Sequence, residues 1–96
     1  MQARTIVQLL KGFDGNDRKE PLVYELLIEA LEHGPLPIRE LAHWHLDRLA
    51  PAGQKIAYDA AADEAARHKA AEQWRALIPP GQLPPPPKKE EIKKGN

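Results

Sequence analysis

The chain has 96 residues, no cysteine and a formal net charge of zero, with 14 Lys and Arg against 14 Asp and Glu. These counts exclude a disulfide framework, a thiol nucleophile and a Cys-based zinc site, and the basic excess of a dedicated nucleic-acid binder is missing. The length allows one small domain, and six of the ten prolines fall in residues 79–96, so the expected division is a helical domain over 1–78 and a disordered Pro/Lys-rich tail over 79–96.

The first predicted helix spans roughly Gln2–Lys11. Ile6, Leu9, Leu10 and Phe13 recur at helical spacing, and Arg4, Gln8 and Lys11 take the other side. Gly12 and Gly15 end it. Arg4, Lys11 and the lack of a cleavage-site pattern make this segment unlike a signal peptide, which points to the cytoplasm. No apolar stretch approaches the length of a membrane span.

The second helix is expected over Lys19–His33, with Asp17 and Glu20 at capping-box spacing, Pro21 in the first turn and Gly34 as the stop. Leu22, Val23, Tyr24, Leu26, Leu27, Ile28, Ala30 and Leu31 cover about 240° of its surface, and only Glu25, Glu29 and Glu32 share the remainder. A simple surface helix needs one apolar stripe, so this helix needs neighbours on more than one side. The third helix is expected over Pro37–Leu49, with Ile38, Leu41, Ala42, Leu46 and Leu49 as its stripe. The short Gly34-Pro35-Leu36 link places it antiparallel to the second. In the linker 50–62, Pro51-Ala52-Gly53 reads as a turn and Ile56-Ala57-Tyr58 as extended. Asp59 or Asp63 can then cap a fourth, amphipathic helix over Ala62–Ile78, which Pro79-Pro80 stops. In the tail, Pro84–Pro87 suits polyproline II, and the run Lys88–Lys94 carries four lysines. The tail reads as a solubilising end, or as a ligand for an aromatic groove of the SH3 or WW kind.

Gly34-Pro35-Leu36-Pro37-Ile38-Arg39-Glu40-Leu41-Ala42, followed by His45-Leu46 and Leu49, resembles the second helix of a HEAT repeat. The second predicted helix would then be the first of the same repeat, and the first a remnant of a preceding one. The acidic residue the family often has in the turn is replaced by His33-Gly34. Ile56-Ala57-Tyr58-Asp59, Arg67, Ala70 and Trp74-Arg75-Ala76-Leu77-Ile78-Pro79 are similar to a terminal module that follows helical repeats in some large bacterial proteins. Together the resemblances cover roughly residues 21–85. They imply a helical repeat fold used for protein contacts, with no catalytic residue to carry over. Stacking logic agrees, because the second helix behaves as an inner helix and the fourth, polar on one side, as a cap.

Candidate chemistry is sparse. His33, His43, His45 and His68 include no pair at i, i+4, so no metal site is expected. His45 falls in the apolar stripe of its helix, and His43 with Asp47 should form a surface pair. Glu25, Glu29 and Glu32 read as a solvated acidic edge. The chain has no Ser, its only Thr is Thr5, and no glycine-rich phosphate loop is present, so neither an enzyme nor a cofactor is expected. Three residues remain as candidates for binding a partner: Trp44, His43 and Arg39. Arg39 could take a partner carboxylate or serve as a structural ion pair. Trp74 belongs to the core. Trp44 lies off its helix's apolar stripe and needs cover, either from Ile56–Tyr58 or Trp74 of the chain itself or from a partner protein.

The sequence therefore reads as an all-α protein, a small antiparallel array of four HEAT-like helices. Its expected role is a non-enzymatic protein–protein interaction or scaffold module, with self-association possible. The alternative is weak nucleic-acid binding through Lys/Arg and the basic tail.

Overall fold

The computed structural model describes Gly12 and residues 16–85. The expected helix over Gln2–Lys11, with residues 13–15 and 86–96, lies outside the described residues. Among the described residues there are three α-helices, α1 (Pro21–His33), α2 (Leu36–Leu49) and α3 (Glu64–Leu77), and two 3-10 turns at Asp17–Lys19 and Pro51–Gly53. No strand occurs among them. The all-α reading holds, and α1, α2 and α3 are the second, third and fourth expected helices, each within two residues of its expected bounds.

Prolines set the boundaries. A residue before proline is pushed out of the helical region, and Glu20 (φ −102°, ψ 108°), Gly34 (φ −76°, ψ 164°), Ala50 (φ −136°, ψ 73°) and Ile78 (φ −126°, ψ 82°) all leave it. This overturns the expected capping box. Asp17 opens a separate 3-10 turn whose carbonyl accepts the Glu20 N–H at 3.0 Å, and Glu20 makes no side-chain cap. Pro21 forbids the continuous helical backbone from 17 to 21 that the box requires. Gly34 likewise ends α1 through the following Pro35, in extended rather than left-handed backbone. At α3 the two candidate caps divide the work. Asp63 accepts from the Ala66 N–H at 2.9 Å as the true N-cap, and Asp59 accepts from the Ala61 N–H at 2.9 Å in the preceding turn.

α1 is the centre of the packing. α2 and α3 both lie against it and have little contact with each other. Tyr24, Leu27, Ile28, Ala30 and Leu31 of α1 are at most 1% exposed, as the wide apolar arc requires. Against α3, Glu32 meets His68 and Arg75, Glu29 meets Arg75, and Glu25 meets Gly81, so the two helices run antiparallel. Of the remaining apolar residues of that arc, Val23 is partly buried against the core and Leu22 and Leu26 stay exposed.

Trp74 closes the core. Its ring is fully buried and packs directly on Gly53, where a Cβ would collide with the indole Cη2 and Cζ3. Only a glycine lets α3 approach the turn after α2 so closely. Beyond Pro79 and Pro80, Gly81 turns the chain at φ 81°, and its N–H donates to Glu25 Oε2 at 2.9 Å.

Candidate interaction surface

The C-terminal end of α1 gathers side chains from the rest of the chain. The last carbonyls of a helix have no partner within it. Here the Tyr58 hydroxyl donates to Leu31 O at 2.7 Å, Arg67 Nε to Glu32 O at 3.3 Å, and Arg39 Nη1 to Gly34 O at 2.9 Å. The two guanidiniums also favour this end of the helix dipole. Each reaches a second carbonyl in the linker, Arg39 Nε at Ala60 O (2.8 Å) and Arg67 Nη1 at Ala62 O (3.0 Å). Burial pushes the Tyr58 phenol above its ordinary range against the pull of Arg39 and Arg67.

Glu32 sits beside this end and is a correction to the sequence reading. Its side chain is 7% exposed and does not belong to a solvated acidic edge. One carboxylate oxygen accepts from His68 Nδ1, the other from Arg75 Nη1 at 3.0 Å, and His33 Nε2 stands 3.8 Å away. Arg75 also bonds Glu72 at 2.8 Å and reaches Glu29 at 3.4 Å. Burial alone would push the Glu32 carboxyl up, but the hydrogen bonds from His68 and Arg75 outweigh it and hold it below the usual carboxylate range. The hydrogen bond to Glu32 and its charge raise the His68 imidazole in turn. Every acceptor of this carboxylate is committed to the chain, so the cluster staples α3 to α1. A shallow cavity of about 150 Å³ opens beside it between Glu25, Ile28, Glu29, Arg75, Ile78 and Pro80.

The three residues expected to bind a partner do not converge. Arg39 is turned into the carbonyl cap described above. His43 is half-buried, its ring 4.8 Å from that of Tyr58 and its Nε2 3.5 Å from Asp47 Oδ2, the surface pair the spacing suggests. His45 is buried. Trp44 alone points outward, 53% exposed. Neither Ile56–Tyr58 nor Trp74 covers it, contrary to the expectation of self-cover. The physical reason is the anchoring of Tyr58 on Leu31 O, which draws the linker over the Arg39–His43 side of α2, while Trp74 is committed to Gly53.

What does meet Trp44 is Arg48, one turn on. Its guanidinium carbon lies 4.6 Å from the centroid of the indole, in cation–π contact. The His45 ring also stands roughly edge-to-face with the indole, their centroids 5.0 Å apart. Among the described residues Arg48 is in no ion pair. The i, i+4 relation of Trp44 and Arg48 is visible in the sequence and was the signal that would have found this pair. Glu32 could not be found that way, because its partners lie 36 and 43 residues further on.

Among the described residues, no group of three or more His, Cys, Asp or Glu side chains could hold a metal ion, and no helix is long and apolar enough to cross a membrane. In comparisons with known proteins, no family model, no curated protein and no solved structure matches this chain.

Proposed function

We propose that the protein is a non-enzymatic protein–protein interaction module, built as a HEAT-like helical array, that docks partners on the outer face of α2. The observation that carries this reading is the exposed Trp44 with Arg48 stacked on it. Trp and Arg are among the residue types that most often dominate binding energy at interfaces, Trp because it buries a large area at small entropic loss and Arg because its planar guanidinium bonds and stacks. A cation held over the ring keeps the indole soluble until a partner covers it. The fold supports the same role: the helices are braced by Glu32, Arg39, Arg67 and Tyr58, so the α2 face is presented on a rigid support.

The alternative of nucleic-acid binding through Lys and Arg draws less support, because Arg39, Arg67 and Arg75 bond protein acceptors and are not turned to phosphate. The test is affinity enrichment with wild-type chain and the Trp44→Ala variant, followed by reconstitution of any differential partner from purified components. Binding reduced about tenfold or more by Trp44→Ala supports the reading. Identical partners and affinities for both chains would remove it.

A further inference from the structure

The exposed stripe of α2 is self-complementary. Pro37, Glu40, Trp44 and Arg48 are all exposed along one side of the helix. Glu40 and Arg48 lie one turn before and one turn after Trp44, each displaced by roughly 6 Å along the axis. A two-fold axis through Trp44 that sets a second α2 antiparallel against the first brings Glu40 of each chain opposite Arg48 of the other. The three residues form an i, i+4 row, and two such rows run parallel to one another when helices cross at about −50°, the commonest packing class. We infer that α2 pairs with α2 of a second copy of this chain about a two-fold axis at Trp44, with two Glu40–Arg48 ion pairs flanking the stacked indoles.

Three observations select a second copy as the occupant. The charge pattern on either side of Trp44 is of opposite sign, so an isologous contact satisfies both halves at once. Arg48 is in no ion pair among the described residues, and Glu40 is exposed on the same row. The linker between α2 and α3 does not cover this stripe: it is held on the Arg39–His43 side by Tyr58 and Arg39. A stripe on one helix is small beside the roughly 800 Å² per partner of a stable interface, so the pairing is weak and reversible.

The inference rests on the reading of Trp44 as a docking residue and is tested by sedimentation of the full chain from about 10 μM to about 1 mM, a range suited to so small an interface. The wild-type chain is expected to show a monomer–dimer equilibrium that Trp44→Ala weakens at least about tenfold. Glu40→Arg and Arg48→Glu are each expected to be monomeric, since each sets like charges opposite one another twice. Mixed in equal amounts they should form a heterodimer, because both contacts then pair opposite charges. This last result cannot come from misfolding of either variant. A wild-type chain monomeric throughout, a dimer indifferent to both reversals, a mixture that stays monomeric, or a dimer lost in Leu26→Glu instead would each overturn the pairing. If the chain is monomeric while Trp44→Ala still loses a reconstituted partner, self-pairing fails and the interaction reading stands. If Trp44→Ala changes neither, both fail.

Discussion

Gly53 and Asp63 show how single positions set the architecture. Trp74 is the largest side chain in the core, and Gly53 is the surface it rests on. An alanine there would put a methyl within van der Waals radii of a rigid aromatic ring, so backbone or indole must move. Gly53→Ala is expected to destabilise the fold by about 1–3 kcal/mol, the usual penalty for overpacking. Urea unfolding followed by helical circular dichroism measures it, and an unchanged midpoint would show that the ring has room to shift. Asp63 acts at the other end of α3, where its carboxylate satisfies the Ala66 N–H. Asp63→Ala should cost about 1 kcal/mol, whereas Asp59→Ala, which removes only a turn contact, should cost less. Comparing the two midpoints separates the true cap from its neighbour, a distinction that two aspartates four residues apart leave open in the sequence.

At the scale of the helices, the boundaries were legible because they depend on local chemistry. Pro21, Pro35, Pro51 and Pro79 act on the residue before them and need no tertiary contact. The wide apolar arc of α1 was legible for the same reason, and Tyr24, Leu27, Ile28 and Leu31 are buried as it requires. The charged staple was hidden. Glu25, Glu29 and Glu32 look equivalent on a helical wheel, yet only Glu32 is buried against α3, where His68 and Arg75 meet it, while Glu29 touches Arg75 from the exposed side. Nothing local marks that difference. The Trp44 environment failed differently: the chain did contain apolar cover, but the Tyr58 bond to Leu31 O sent it to the other side of α2.

The staple makes a pH prediction whose sign follows from its two partners. Glu32 has its folded value lowered, so its contribution is present above the ordinary carboxylate range and is lost as pH falls through the lowered value. His68 has its folded value raised, so its contribution is complete below the ordinary imidazole range and is lost as pH rises through the raised value. Both act together between the two ordinary values. The groups around them from both helices are Glu29 and His33 of α1 and Arg67, Glu72 and Arg75 of α3, and Arg75 keeps part of the staple at every pH in this range. The stability difference between wild type and His68→Gln should therefore be largest near about pH 5.5, between the two ordinary values, and smaller at a pH above the raised imidazole value. Equal differences at both would show that the His68 charge contributes nothing. Glu32→Gln removes the acceptor common to both partners and should cost about 1–2 kcal/mol, kept modest by the solvent exposure of His68 and Arg75.

At the scale of the molecule, α1 connects the other described helices. α2 and α3 pack on it and barely on one another, so the described helices should unfold as one unit rather than peel apart. Leu31 is the residue on which to test this, because it is fully buried at the centre of the cluster and its carbonyl also holds Tyr58. Truncation of a buried leucine costs about 2–5 kcal/mol, which is a large share of the about 5–15 kcal/mol that holds a typical domain. Leu31→Ala should therefore leave a substantial unfolded population at 37 °C. In urea, Trp74 fluorescence, read in a Trp44→Phe background, reports α3 seated on Gly53, and circular dichroism reports all the helices. If α1 couples them, the two signals shift together to a lower midpoint with one transition. If Trp74 emission changes first while most helicity persists, α3 is a separable flap, and the rigid support ascribed to the α2 face would have to come from α1 and α2 alone.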